Sequence, residues 1–129
     1  MMTIIIVFVV YAALEAAYLY LFRTNYKQNF ATVQSGKDVL YRFFPFGILC
    51  YTILAFALWY FVLQPATSYH DGFMRATILA LVVYGVYNLT NLATFYKFGI
   101  ALAIQDIVWG ILVFNIAAFL HFWLTHRQR

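Results

Sequence analysis

The chain has 129 residues, room for one domain. Hydrophobic residues make up 66% and charged residues 9%, where an average soluble domain is about a quarter charged. That excludes a disordered chain, a soluble nucleic-acid binder and an ordinary cytosolic enzyme. A mean hydropathy of +0.83 and 22% aromatics point to an integral membrane protein, whose excess of 8 Lys and Arg over 4 Asp and Glu sets orientation.

A membrane helix needs about 20 apolar residues, and four stretches of the chain qualify. The first, Met2 to Phe22, is broken only by Glu15. It lacks a basic leading segment and a cleavage site, so it reads as a span and not as a signal peptide. The connection Arg23 to Arg42 carries Arg23, Lys27, Lys37 and Arg42, with Asp38 its only acid. Tyr26, Phe30 and Val33 recur there at helical spacing, which predicts a short helix in the membrane interface. Gln34-Ser35-Gly36 reads as a turn.

The second span runs from Phe43 to Leu63, with Pro45 in its first turn, where a missing N–H costs least. Its cysteine, Cys50, has no intrachain partner. Gln64 to Met74, containing Pro65, Asp71 and Gly72, is expected to be a surface turn. The third span runs from about Arg75 to Phe95. A few residues around Lys97 then make a tight hairpin to the fourth span, about Gly99 to Leu124, which contains Asp106. The fold class is an all-α membrane protein, a four-helix antiparallel bundle forming one membrane domain over 1–129.

With four spans, the first and third connections share one side and carry Arg23, Lys27, Lys37, Arg42 and Lys97. The termini side carries Arg75, Arg127 and Arg129. The positive-inside rule places the first connection in the cytoplasm and the termini outside.

Glu15 and Asp106 are the informative positions. An Asp at the centre of a membrane helix costs at least about 2.5–3.5 kcal/mol, so such residues face the bundle interior. Glu15 lies 7 residues before Phe22, Asp106 lies 7 after Gly99 and Asn88 lies 7 before Phe95. Each is therefore about 10 Å inside the membrane from the basic side. Asn91 and Gln105 fall near that level, as do Cys50, Tyr51 and Thr52 of the second span.

Asn88 and Asn91, three apart, share a helix face that Tyr84 and Tyr87 extend. Asp106 and Trp109 are likewise three apart, and Glu15 and Tyr18 repeat the spacing. Because the helices are antiparallel, the carboxylates should meet while the aromatics diverge. The candidate site is Glu15, Asp106, Asn88, Asn91, Tyr87, Gln105 and Trp109.

All eight basic residues lie at ends or in connections, so the acids lack a membrane ion-pair partner. Protonation, a shared proton with hydrogen bonds to Asn88 or Asn91, or a bound cation, water cluster or polar ligand head would each resolve this. For the asparagines and Gln105 a plain structural role is the competing reading: polar side chains join membrane helices at roughly 0.6 kcal/mol per contact. Asn115 and Thr94 read as such joints, and Ala76 and Ala80 form a small-xxx-small packing pair. His70, His121 and His126 read as interfacial. The Asn88-Leu89-Thr90 sequon is too deep for glycosylation. There is no metal motif, phosphate loop, nucleophile elbow or cofactor signature.

Tyr84-Gly85-Val86-Tyr87-Asn88-Leu89-Thr90-Asn91-Leu92-Ala93-Thr94, followed by Asp106-Ile107-Val108-Trp109-Gly110, resembles the domain-of-unknown-function 2177 family of predicted membrane proteins. That family shows Tyr-Asp-Leu-Thr-Asn-Leu-Ala-Thr and then Asp-x-x-Trp-Gly. It also has an Asp-x-x-Trp in the first helix and a Pro-Ala after the second, matched here by Glu15-x-x-Tyr18 and Pro65-Ala66. Asn88 and Glu15 stand where the family has Asp, so this chain carries two carboxyls of three. The resemblance implies the four-span fold and its polar layer, in a bacterial inner membrane or a viral or host internal membrane.

Three functions fit these residues. The first is proton- or cation-linked transport, or binding of a small ligand, at the acid layer. The second is a structural subunit of a larger membrane assembly. The third is a lipid-modifying enzyme, for which no nucleophile or metal motif speaks. The expected partners are the lipid bilayer and either further copies of the chain or another membrane protein, with no nucleic acid.

Overall fold

The computed structural model describes residues 2–34 and 44–127. Lys37, Asp38, Arg42, Arg129 and the Ser35-Gly36 part of the expected turn lie outside them. The described residues form five helices and no strand. Helix α1 is Met2–Leu21 and α2 is Arg23–Val33. Helix α3 is Phe44–Leu58, prolonged by a wide turn at Trp59–Leu63. Helix α4, Tyr69–Thr94, contains a second wide turn at Leu81–Gly85. Helix α5 is Ile100–Arg127. Four of these, all but α2, are long and apolar enough to cross a membrane. The protein is an all-α, multi-pass membrane bundle.

The third span starts earlier than its hydropathy suggests, at Tyr69 and not near Arg75. The reason is a cap. Ser68 is extended, and its Oγ accepts the N–H of Asp71 at 3.1 Å. The Asp71 carboxylate accepts the N–H of Thr67 at 3.0 Å and pairs with Arg75 at 2.8 Å. Asp71 and Gly72, read from the sequence as a surface turn, are thus the first turn of a helix. The basic connection does form the expected helix, α2, with Tyr26, Asn29, Phe30 and Val33 on its half-buried side.

The wide turn in α4 has a register consequence. Gly72, Ala76, Ala80, Tyr84 and Asn88 are all buried, each four residues after the last. At 3.6 residues per turn, such a line drifts by about 40° per step. A wider turn takes back part of that drift. One line of side chains therefore faces the bundle across the whole membrane. The small residues come first and let α4 lie close to α5; Tyr84 and Asn88 follow at the level of the acids.

The apolar core fills the half of the bundle nearer the termini. Val7, Leu58, Val62, Val113 and Phe114 are each 0% exposed. The Phe114 ring meets the edges of Tyr11 and Tyr84 at centroid distances of 5.9 and 5.6 Å. Glu15 lies one turn beyond Tyr11, directly on the basic side of this core.

Replacing the cap should loosen the start of α4 alone. Ser68→Ala is expected to lower stability by about 1 kcal/mol, read as a small fall in the thermal unfolding midpoint in detergent micelles.

Candidate functional site

Glu15 of α1 and Asp106 of α5 are 4% and 9% exposed, and Asn88 of α4 is 1% exposed. The polar layer expected from depth alone is present. Each carboxylate is held by neutral donors. The Glu15 Oε1 accepts the Tyr84 hydroxyl at 2.8 Å and the Trp109 indole N–H at 3.2 Å. Asp106 accepts the Asn88 amide at Oδ2, 2.6 Å away, and the Tyr26 hydroxyl at Oδ1, 2.5 Å away. The Asn88 amide also donates to the Tyr84 carbonyl at 2.9 Å, which fixes its direction. Tyr51 of α3 approaches Glu15 from a further side.

This arrangement matches acids that act purely as acceptors, the pattern of ionised carboxylates. Bonds from neutral donors to a carboxylate are roughly twice as strong as neutral pairs. They are the means by which this layer holds charge without Lys or Arg. The two acids also lie within electrostatic reach of one another.

A chain of hydrogen bonds joins Asp106 to its neighbour Gln105 through two tyrosines. Tyr26 donates to Asp106, its hydroxyl meets that of Tyr18 at 3.0 Å, and Tyr18 accepts the Gln105 amide at 3.2 Å. Because Tyr26 gives its proton to Asp106, Tyr18 gives its own to Tyr26. Tyr26 lies outside the spans. Burial, followed by the bonds to Asp106 and Tyr18, pushes its phenol far above the usual tyrosine range, so it stays a donor.

One geometric expectation is overturned. The aromatics of the two acid-x-x-aromatic pairs do not diverge: Tyr18 and Trp109 stack with centroids 4.4 Å apart and planes 4° from parallel. Each ring therefore serves the opposite acid. Trp109 donates to Glu15, and Tyr18 reaches Asp106 through Tyr26. The following Gly110 has its own role, because a Cβ there would run into the Tyr84 ring. Its absence lets Tyr84 cross to Glu15.

Of the seven candidate residues, Glu15, Asp106, Asn88, Gln105 and Trp109 are joined in this network. Tyr87 and Asn91 are not. Tyr87 is half exposed at 50%, and the buried Nδ2 of the adjacent Asn91 reaches no acceptor. Cys50 and Thr52 are exposed, and the Thr52 hydroxyl turns back to the Ile48 carbonyl. Tyr18, Tyr26 and Tyr84 belong in the candidate set instead. Tyr84 is signalled by its spacing of four before Asn88, and Tyr26 by lying on the same α2 face as Asn29. The Asn29 Oδ1 accepts the Gly99 N–H at 2.8 Å, at the start of α5.

A family model described as "Predicted membrane protein (DUF2177)" matches residues 1–123, a span that contains every residue of the layer. No match was found among curated proteins or among solved structures.

Filling the space at Gly110 should displace Tyr84. Gly110→Ala is expected to cost about 1–3 kcal/mol. In a Tyr84→Ala background, most of that cost should vanish, and a double-mutant cycle of unfolding midpoints measures the coupling.

Proposed function

The chain belongs to the DUF2177 family of predicted membrane proteins, and from that premise we propose that its acid layer is a proton-binding site for proton-linked transport across the membrane. The observation that carries this reading is the pair of orientable hydroxyls, Tyr18 and Tyr26, that leads to Asp106. A hydroxyl both donates and accepts, so such a run can pass a proton by reversing its bonds. The run reaches the Asp106 carboxylate from α2, the helix on the basic side.

The charge balance supports the same reading. Two acids without a basic partner in their layer are the groups that gain most from taking up a proton in a low dielectric. Their neutral donors stabilise the ionised form enough for it to exist there. The site therefore has two accessible states, and a proton is the smallest cargo that switches them. On the inner side the buried Tyr11 hydroxyl sits beside Glu15 and Tyr84.

Purified protein in liposomes holding a pH-sensitive dye tests the reading. The unaltered chain should dissipate an imposed pH gradient. Glu15→Gln with Asp106→Asn should fall to the rate of empty liposomes while the helical content is kept. Tyr26→Phe, which breaks the run and spares both acids, should slow the flux by about tenfold or more, about 1.4 kcal/mol of barrier. Absence of flux from the unaltered chain would overturn the reading in favour of a structural subunit.

A further inference from the structure

Helix α2 is built unlike the other four. It is the one helix among the described residues whose average character is polar, and none of its residues is fully buried. It leaves α1 at Phe22, whose φ of −101° and ψ of 12° depart from helical values. It is held on the bundle by few contacts. Tyr26 bonds Asp106 and Tyr18, Asn29 takes the Gly99 N–H, and Phe30 packs edge-on against Phe98 at 6.1 Å. Its cations are directed away: Arg23 lies over the Tyr20 ring at 4.2 Å, and Lys27 is exposed. The strongest of these contacts is thus a bond to a group whose charge can change.

We propose that α2 is a lid over the acid layer, held shut by the Tyr26–Asp106 bond and released when Asp106 takes up a proton. This rests on the proton-binding reading of the layer and adds the way in which the layer is closed.

The hydrogen-bond count drives the release. With Asp106 ionised, every member of the run gives one proton towards it, beginning at the Gln105 amide, which points at Tyr18. A proton placed on Asp106 Oδ1 faces the Tyr26 hydroxyl with a second donor. Tyr26 must then reverse and donate to Tyr18. Tyr18 already accepts from the Gln105 amide, so in this amide orientation its own proton has no acceptor. One donor too many remains in the part-buried run, and a donor there without a partner is unfavourable. Undocking α2 gives the surplus donor to water.

The groups that bear on Asp106 are Tyr26 of α2, Glu15 and Tyr18 of α1, Tyr51 of α3 and Tyr87 of α4. Of these only Glu15 carries charge, and it is of the same sign. Asp106 is otherwise held by two neutral donors, Tyr26 at Oδ1 and Asn88 at Oδ2.

Paired spin labels read the lid directly. Gln28→Cys on the exposed side of α2 and Ala101→Cys on the exposed side of α5 are labelled in a Cys50→Ser background, in liposomes. In alkaline buffer a single short distance is expected. Acidification should raise a second, longer population by tenfold or more. Asp106→Asn and Tyr26→Phe should show that longer population in both buffers. A single distance in the pair with Asp106 and Tyr26 unaltered in both buffers would overturn the lid, and this arm does not depend on any variant of the acid layer folding. Proton flux separates the two ideas: flux without movement of α2 removes the lid and keeps the transport reading. Movement without flux removes transport and keeps a lid that responds to protonation.

Discussion

An acid inside a membrane without a counter-charge must be satisfied by neutral donors, and the bundle is arranged around that requirement. Four helices contribute to it. Helix α1 supplies Glu15 and Tyr18, α2 supplies Tyr26, α4 supplies Tyr84 and Asn88, and α5 supplies Asp106, Trp109 and Gln105. A carboxylate left without such bonds in a low dielectric would cost several kcal/mol. The position of each helix is therefore fixed at this level by hydrogen-bond geometry, whereas lipid-facing residues elsewhere need only be apolar. The bonds are also long-range in sequence, since Tyr26 and Asp106 are 80 residues apart and Trp109 and Glu15 are 94 apart.

This gives the Asp106-x-x-Trp109-Gly110 motif a physical meaning. One turn of α5 does three jobs at once. Asp106 receives α4 through Asn88 and α2 through Tyr26, Trp109 receives α1 by stacking on Tyr18 and bonding Glu15, and Gly110 leaves room for Tyr84. No other residue type does the last of these without moving the ring. The wide turn in α4 belongs to the same design, because it keeps Tyr84 and Asn88 on the line begun by Ala76 and Ala80.

The spans were legible because a membrane demands long apolar runs, and the acid layer was legible because depth follows from counting residues along a helix. What was not legible depended on rotation and crossing. Tyr87 and Asn91 stand about 100° and about 60° round the helix from Asn88, to the same side. With the line at Ala80, Tyr84 and Asn88 facing inward, neither comes within hydrogen-bond reach of a carboxylate. The stacking of Tyr18 on Trp109 needed the crossing of α1 and α5, which spacing along either helix does not contain. Tyr26 was read as part of a basic connection, and its docking against Asp106 depends on how α2 folds back beneath α1. The early start of α4 was available in the sequence as Ser68-Tyr69-His70-Asp71, a capping signal that hydropathy alone overrides.

The two ends of the layer differ in kind, and that difference gives the site a direction. Towards the termini, Val7, Leu58, Val62, Val113 and Phe114 close the bundle with side chains that have no exposure at all. Further towards the termini the Asn115 amide donates to the Thr77 hydroxyl at 3.0 Å. Towards the basic side, the cover is α2, whose docked face is Tyr26, Asn29 and Phe30 and whose outer face is charged. Water and protons meet a dense apolar seal from one side and a thin polar helix from the other. The layer sits about 10 Å from the basic surface, and under the transport reading proposed above exchange with solvent would run through the α2 side. Any passage onward to the termini side requires the apolar seal to repack, which involves α1, α3, α4 and α5 together.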